Sequence, residues 1–87
     1  MTVLPLSGLR QGMQVRIDSI GPNAVFGVLD AQVTQRLADL GFCSGEPLTL
    51  LSTGVFGRGP YAVRLGNLSQ FALRAPEAAK VLCQVVA

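Results

Sequence analysis

The 87-residue sequence contains no histidine and no tryptophan, a single tyrosine and two cysteines. Without histidine the chain lacks the side chain most often used for general acid–base catalysis. Catalysis would fall to a carboxylate, to Lys80 or to a thiol, and no two carboxylates stand at i, i+3 or i+4 on one element. A structural zinc site takes four N or S ligands, whereas Cys43 and Cys83 offer two thiols outside any CxxC pair. Both are expected to be small buried hydrophobes. Asp18, Asp30, Asp39, Glu46 and Glu77 show no clustered spacing for a hard cation. The sequence therefore predicts no enzyme, no resident metal and no cofactor.

Long hydrophobic runs are also missing. None approaches the roughly 18–20 apolar residues needed to span a bilayer, and Met-Thr-Val-Leu-Pro lacks the basic and apolar regions of a secretion signal. A cytoplasmic chain with reduced thiols is expected. Charge is sparse: seven Lys and Arg against five Asp and Glu give a net +2, scattered without a run. Nucleic-acid binders concentrate basic residues on one face, so that role is disfavoured. What the chain has in quantity is apolar residues, 49% of the total. One small domain, 1–87, cannot hide them all, which predicts an exposed interaction patch or a homo-oligomer.

The centre of the chain is the stretch from Arg36 to Glu46. Val33, Leu37 and Leu40 recur at helical spacing, and residues 31–40 hold neither Gly nor Pro. Asp30 stands in the N-cap position, and Gly41 is the left-handed stop, with Phe42 folding back onto the apolar stripe. Gly45 then turns the chain into a strand at 47–52. Before the helix, Ser7 starts a capped turn that tucks in Leu6 and Leu9. A strand with alternating Met13, Val15 and Ile17 covers 13–20 and ends at Gly21-Pro22-Asn23. Segment 24–29 is open to two readings, with Phe26 and Val28 packed under the helix or lying in an exposed apolar loop.

After the helix, loop 53–60 carries Phe56 and Arg58 among three glycines and Pro60. Its glycine spacing lacks the Lys-Ser/Thr of a phosphate-binding P-loop, and no helix follows, so a connection between two strands is expected. Strands at 61–65 and 69–74 flank a two-residue Gly66-Asn67 hairpin. Pro76 opens a helical turn at 76–80, and a last strand covers 81–86. These elements predict a mainly β fold, a small five-stranded SH3-like barrel with one inserted helix (31–40) and a late helical turn (76–80). The tight meander and the turn before the last strand favour this over an OB-fold.

Several motifs carry a resemblance. Arg36-Leu37-x-x-Leu40-Gly41-Phe42-x-x-Gly45 followed by Leu48-x-Leu50, then Gly59-Pro60-x-x-Val63, Ala72-Leu73-Arg74 and Glu77-Ala78-Ala79, resemble the signature of the ferrous iron transport protein A (FeoA) family. The opening Leu6-x-x-Leu9-x-x-Gly12 is similar as well, whereas 21–30 is longer than in typical members. The resemblance implies family-motif structural roles for Arg36, Leu37, Leu40, Gly41, Phe42, Gly45, Leu73 and Arg74. It also implies a cytosolic, non-enzymatic accessory protein of bacterial ferrous iron uptake, peripheral at the inner membrane through its partner. That partner would be the membrane permease with a cytosolic GTP-binding domain.

Partner binding would use an aromatic groove in which Phe56 and Tyr61 flank Arg58. The competing placement makes Phe56 a loop residue folded over the core and Tyr61 an ordinary barrel residue. Three alternatives differ in class. One is homology to the C-terminal SH3-like domain of metal-dependent repressors. Another is a nucleic-acid-binding barrel using Arg16, Arg58, Arg64 and Arg74. The third is a direct transition-metal-binding iron carrier using Cys43, Cys83 and carboxylates.

Overall fold

Gly41, at φ 109°, ends the central helix in the left-handed region. Its N–H donates to the Ala38 carbonyl (3.0 Å), and the Phe42 N–H donates to the Leu37 carbonyl (3.1 Å). This is a Schellman closure, and it drives Phe42 into the core, where the ring lies 5.5 Å from that of Phe71. The computed structural model that contains it describes residues 2–85. The helix, α1, is Asp30–Leu40. Only Leu37 on it is fully buried; Val33 packs on the core, and Leu40 is 40% exposed rather than completing the expected apolar stripe.

Among the described residues the chain forms six strands: β1 (Thr2–Pro5), β2 (Gln14–Ile20), β3 (Pro47–Ser52), β4 (Tyr61–Leu65), β5 (Gln70–Leu73) and β6 (Val81–Val85). They make one antiparallel sheet in the order β1-β6-β2-β3-β4-β5. The mainly β, SH3-like architecture is as the sequence implies, but the strand count is six, not five. Thr2–Pro5 has no alternating pattern to reveal it, and it becomes a strand by pairing with β6, Leu4 opposite Cys83. Val86, the expected last residue of the final strand, lies outside the described residues.

One core gathers on one face of the sheet. Ile17, Leu48, Leu50, Val63, Leu65, Val81 and Cys83 come from alternate strand positions, joined by Leu6, Leu37 and Phe42 from between the strands. Burying a side chain of this size is worth about 1.5–3 kcal/mol, so this cluster supplies the main favourable term in folding. A bulge in β2 between Ile17 and Ser19 coincides with Asp18, which accepts from Gln84 Nε2 (2.9 Å) and Ser19 Oγ (3.0 Å).

Local details depart from the sequence reading for identifiable reasons. The turn Leu6–Gly8 has no side-chain cap from Ser7. Asp30 is not an N-cap: a 3-10 turn over Ala24–Leu29, broken at Gly27, runs straight into α1, so Asp30 is already helical. Its carboxylate serves another partner instead. The β4–β5 connection is longer than a two-residue hairpin. Leu65 N–H bonds the Ser69 carbonyl (2.9 Å), and the left-handed residue between them is Leu68, at φ 72°. The late helix, α2, is Ala75–Ala78, with Pro76 in its first turn and Glu77 Oε1 accepting from the Arg74 N–H (3.0 Å).

Candidate interaction surface

The loop after β3 leaves the sheet with two apolar residues pointing into solvent. Val55 is 74% exposed and Phe56 91% exposed, in a 3-10 turn over Val55–Gly57, with Arg58 exposed beside them. Phe56 has φ 60°, a left-handed conformation that costs an L-residue roughly 1–2 kcal/mol. The chain thus spends conformational energy on an aromatic ring that touches no core.

The loop is nonetheless tied down. Gly54 N–H donates to Ser52 Oγ (3.2 Å), Gly59 N–H donates to the Thr53 carbonyl (2.8 Å), and Tyr61 Oη donates to the Gly57 carbonyl (3.0 Å). Gly54, at φ 76°, passes so close to the returning chain that a Cβ there would lie 2.3 Å from the Gly59 carbonyl oxygen. The Gly59-Pro60 peptide is cis.

Tyr61 is therefore not a groove wall. At 4% exposure its ring belongs to the core, and its hydroxyl buttresses the loop from beneath. Of the three residues expected to bind a partner, the structure leaves Phe56 and Arg58 accessible and withdraws Tyr61. Phe56 does not fold over the core as its alternative placement supposed.

A second exposed apolar group sits on the long segment before α1. Val25 is 70% exposed and Val28 97%, so this segment is the exposed loop of the two readings. Phe26 instead lies against the protein, its ring centroid 5.6 Å from Lys80 Nζ. Lys80 is wholly buried and donates to Asp30 Oδ1 (2.5 Å) and to the Asp30 carbonyl (3.2 Å). The Asn23 N–H donates to the same carboxylate (2.9 Å), and Asn23 Nδ2 donates to the Pro76 carbonyl (3.0 Å). The Lys80 and Asn23 hydrogen bonds hold the Asp30 carboxyl below the usual carboxylate range. Nothing local in the sequence marks this node, because its members are brought together only by the fold.

The two cysteines part company. Cys83 is buried, and desolvation, helped by the nearby Asp18 charge, pushes its thiol up to about 12. Cys43 is exposed, contrary to the buried placement expected of it, since the Schellman turn sends Phe42 inward and the next residue outward. Asp18 sits below the usual carboxylate range, through its hydrogen bonds from Gln84 and Ser19. No three of Cys, Asp and Glu converge among the described residues, and no helix of the described chain is long and apolar enough to cross a membrane.

The family-motif residues divide in the same way. Leu37, Phe42 and Leu73 are core, and Gly41 and Gly45 are left-handed turn residues. Arg36 and Arg74 are exposed and line a common concave pocket of about 460 Å3 with Phe26, Pro76 and Glu77. A second depression of about 300 Å3 lies over β2, β3 and β6, lined by Gln14, Val15, Arg16, Pro47 and Gln84. There Arg16 is engaged, Nη1 donating to the Gly45 carbonyl (2.8 Å).

The family model of the FeoA domain matches residues 4–85. The chain belongs to the FeoA family. Among solved structures, FeoA of Stenotrophomonas maltophilia, a prokaryotic SH3 domain protein crystallised with zinc, is 30% identical with a TM-score of 0.75, over 97% of this chain and 91% of that one. The FeoA-like protein of Clostridium acetobutylicum is 24% identical with a TM-score of 0.79, over 100% and 92%. A manganese-dependent transcriptional repressor shares the fold at 19% identity and a TM-score of 0.77, this chain accounting for 42% of its length. No curated protein matches by sequence. FeoA domains are thus small SH3-like units, built on the fold that such a repressor carries as one part.

Proposed function

We propose that this FeoA-family chain is, over 1–87, a single-domain accessory protein of bacterial ferrous iron uptake. It works by docking in the cytoplasm on the membrane permease of that system, whose GTP-binding domain faces the cytosol, and it performs no catalysis of its own. Family membership supports the iron-transport setting, and a role as ferrous iron transport activating factor has been suggested for the Stenotrophomonas maltophilia relative. The observation that carries the docking reading is Phe56, a left-handed aromatic residue 91% exposed at the tip of a loop braced by three hydrogen bonds. An aromatic side chain presented on a pre-ordered loop loses little entropy on binding, which is the physics of an interface anchor.

The test is a pull-down of the tagged chain from its native membrane fraction. The permease is expected among the captured proteins, and Phe56→Ala is expected to reduce its recovery. A wild-type chain that captures no part of the permease, while remaining folded, defeats the proposal.

A further inference from the structure

The Arg36–Arg74 pocket is separate from the Phe56 loop, and its composition identifies what it can hold. Arg36 projects from α1 and Arg74 from the residue that precedes α2. Both are exposed, and neither has a carboxylate within 4.0 Å among the described residues, where the one ion pair is Lys80 with Asp30. Two guanidinium groups thus face one pocket without a counter-charge in contact. The single acid there, Glu77, has Oε1 committed to the Arg74 backbone N–H, leaving the lining net positive by one charge.

The rest of the lining is apolar. Phe26 and Pro76 form the pocket's non-polar side, and Val25 and Val28, which flank Phe26 in sequence on the two sides of the kink at Gly27, are exposed to solvent. Phe26 lies against Lys80, which Asp30 holds in place, so the apolar side of the pocket is part of the fold. Guanidinium forks bind carboxylates in two-point hydrogen bonds. A small inorganic anion would satisfy the arginines and leave Phe26, Val25 and Val28 in water. An acidic segment with aliphatic neighbours satisfies both halves.

We infer that the pocket between α1 and α2 receives an acidic side chain of a partner protein segment, with the flanking aliphatic residues of that segment lying on the Phe26–Val28 turn. This deepens the docking reading and rests on it for the partner's identity, but it concerns a surface that Phe56 does not line.

The test is an NMR titration of the 15N-labelled full chain with a blocked Leu-Glu-Asp-Leu-Glu-Leu peptide, alongside its Gln/Asn counterpart and inorganic phosphate. The acidic peptide is expected to shift the Arg36 and Arg74 side-chain resonances and the backbone of Phe26 and Val28. Replacing both arginines in Arg36→Gln/Arg74→Gln is expected to weaken it by about tenfold or more. Arg64→Gln, on β4, is the control and leaves binding unchanged. Both arginines are exposed at the surface, so the double variant keeps the wild-type spectrum elsewhere. Equal binding of the Gln/Asn peptide, shifts confined to other surfaces, or phosphate binding as tightly as the peptide each overturns the inference. Such a failure would leave permease capture intact, whereas loss of capture with peptide binding retained would count against the docking partner alone.

Discussion

Lys80 Nζ lies 2.5 Å from Asp30 Oδ1, with the lysine wholly buried and the aspartate at the edge of solvent. The pair joins Lys80, the residue before β6, to the first residue of α1, and through Asn23 and Phe26 it holds the segment that leads into α1. It sets the position of the acidic-peptide pocket as well as contributing to the fold.

Removing the lysine tests how the pair works. Lys80→Ala loses the buried stem and leaves the Asp30 carboxylate and carbonyl without their lysine donor, and is expected to destabilise by about 3 kcal/mol. Lys80→Met keeps the stem and removes the desolvated charge, so its loss should be clearly smaller. Chemical denaturation of both variants measures the difference. Equal losses would mean that the charge, and not the packing, dominates.

The acid limb of stability follows from Asp30 and Asp18. Both carboxyls are depressed in the folded state by their hydrogen bonds. Their contribution is therefore complete above the unfolded carboxylate value of about 4 and disappears as pH falls through the lower folded values. Thermal unfolding should be flat from neutral pH to about 5 and decline below about 4. Asp30→Asn should lower stability at neutral pH and flatten this acid decline. An unchanged acid slope in that variant would show that Asp30 is not among the groups responsible.

Gly54 has no substitute. At φ 76° and ψ −175° it occupies a region essentially closed to other residues, and an added Cβ would meet the Gly59 carbonyl oxygen at 2.3 Å. Gly54→Ala should cost about 2 kcal/mol or more, roughly 10 °C in Tm. Phe56→Ala removes only an exposed ring and should move Tm by no more than about 3 °C. Calorimetry distinguishes them, and a large loss in Phe56→Ala would reassign that ring to the core.

Thiol chemistry should separate the cysteines in rate. Cys43 is exposed and should alkylate in the native protein, while buried Cys83 should react only on unfolding. Because the folded Cys83 value is raised to about 12 from the ordinary 9.0, its contribution is complete below the ordinary value. It is lost as pH climbs from there toward about 12. Mass spectrometry of native chain treated with a thiol reagent should find one modified cysteine; two at the same rate would contradict the burial.

The sequence was most legible where signals are local. Gly41 and Phe42 announce the end of α1, and the bounds of β3 and β4 agree with the alternation of Leu48 and Leu50 and of Tyr61, Val63 and Leu65. It was least legible where partners are distant. Thr2–Pro5 is a strand only beside β6, and Lys80 finds Asp30 across fifty residues of chain. Tyr61 takes the ordinary barrel position that its alternation with Val63 and Leu65 allows, whereas residue type alone puts Cys43 inside and the fold turns it outward. Arg36 and Arg74 stood out as motif residues, but their shared pocket needs α1 and α2 to be neighbours. Their separation in sequence hides that.

The pairing of β1 with β6 puts Thr2 directly across from Val85. The polypeptide therefore enters and leaves the body at one spot, like a bead hung from a single thread. Such a body can be grafted onto another protein, at either end or within a loop, without reorganising its interior. That geometry suits a unit whose fold recurs both in small FeoA chains and as a fraction of a larger repressor.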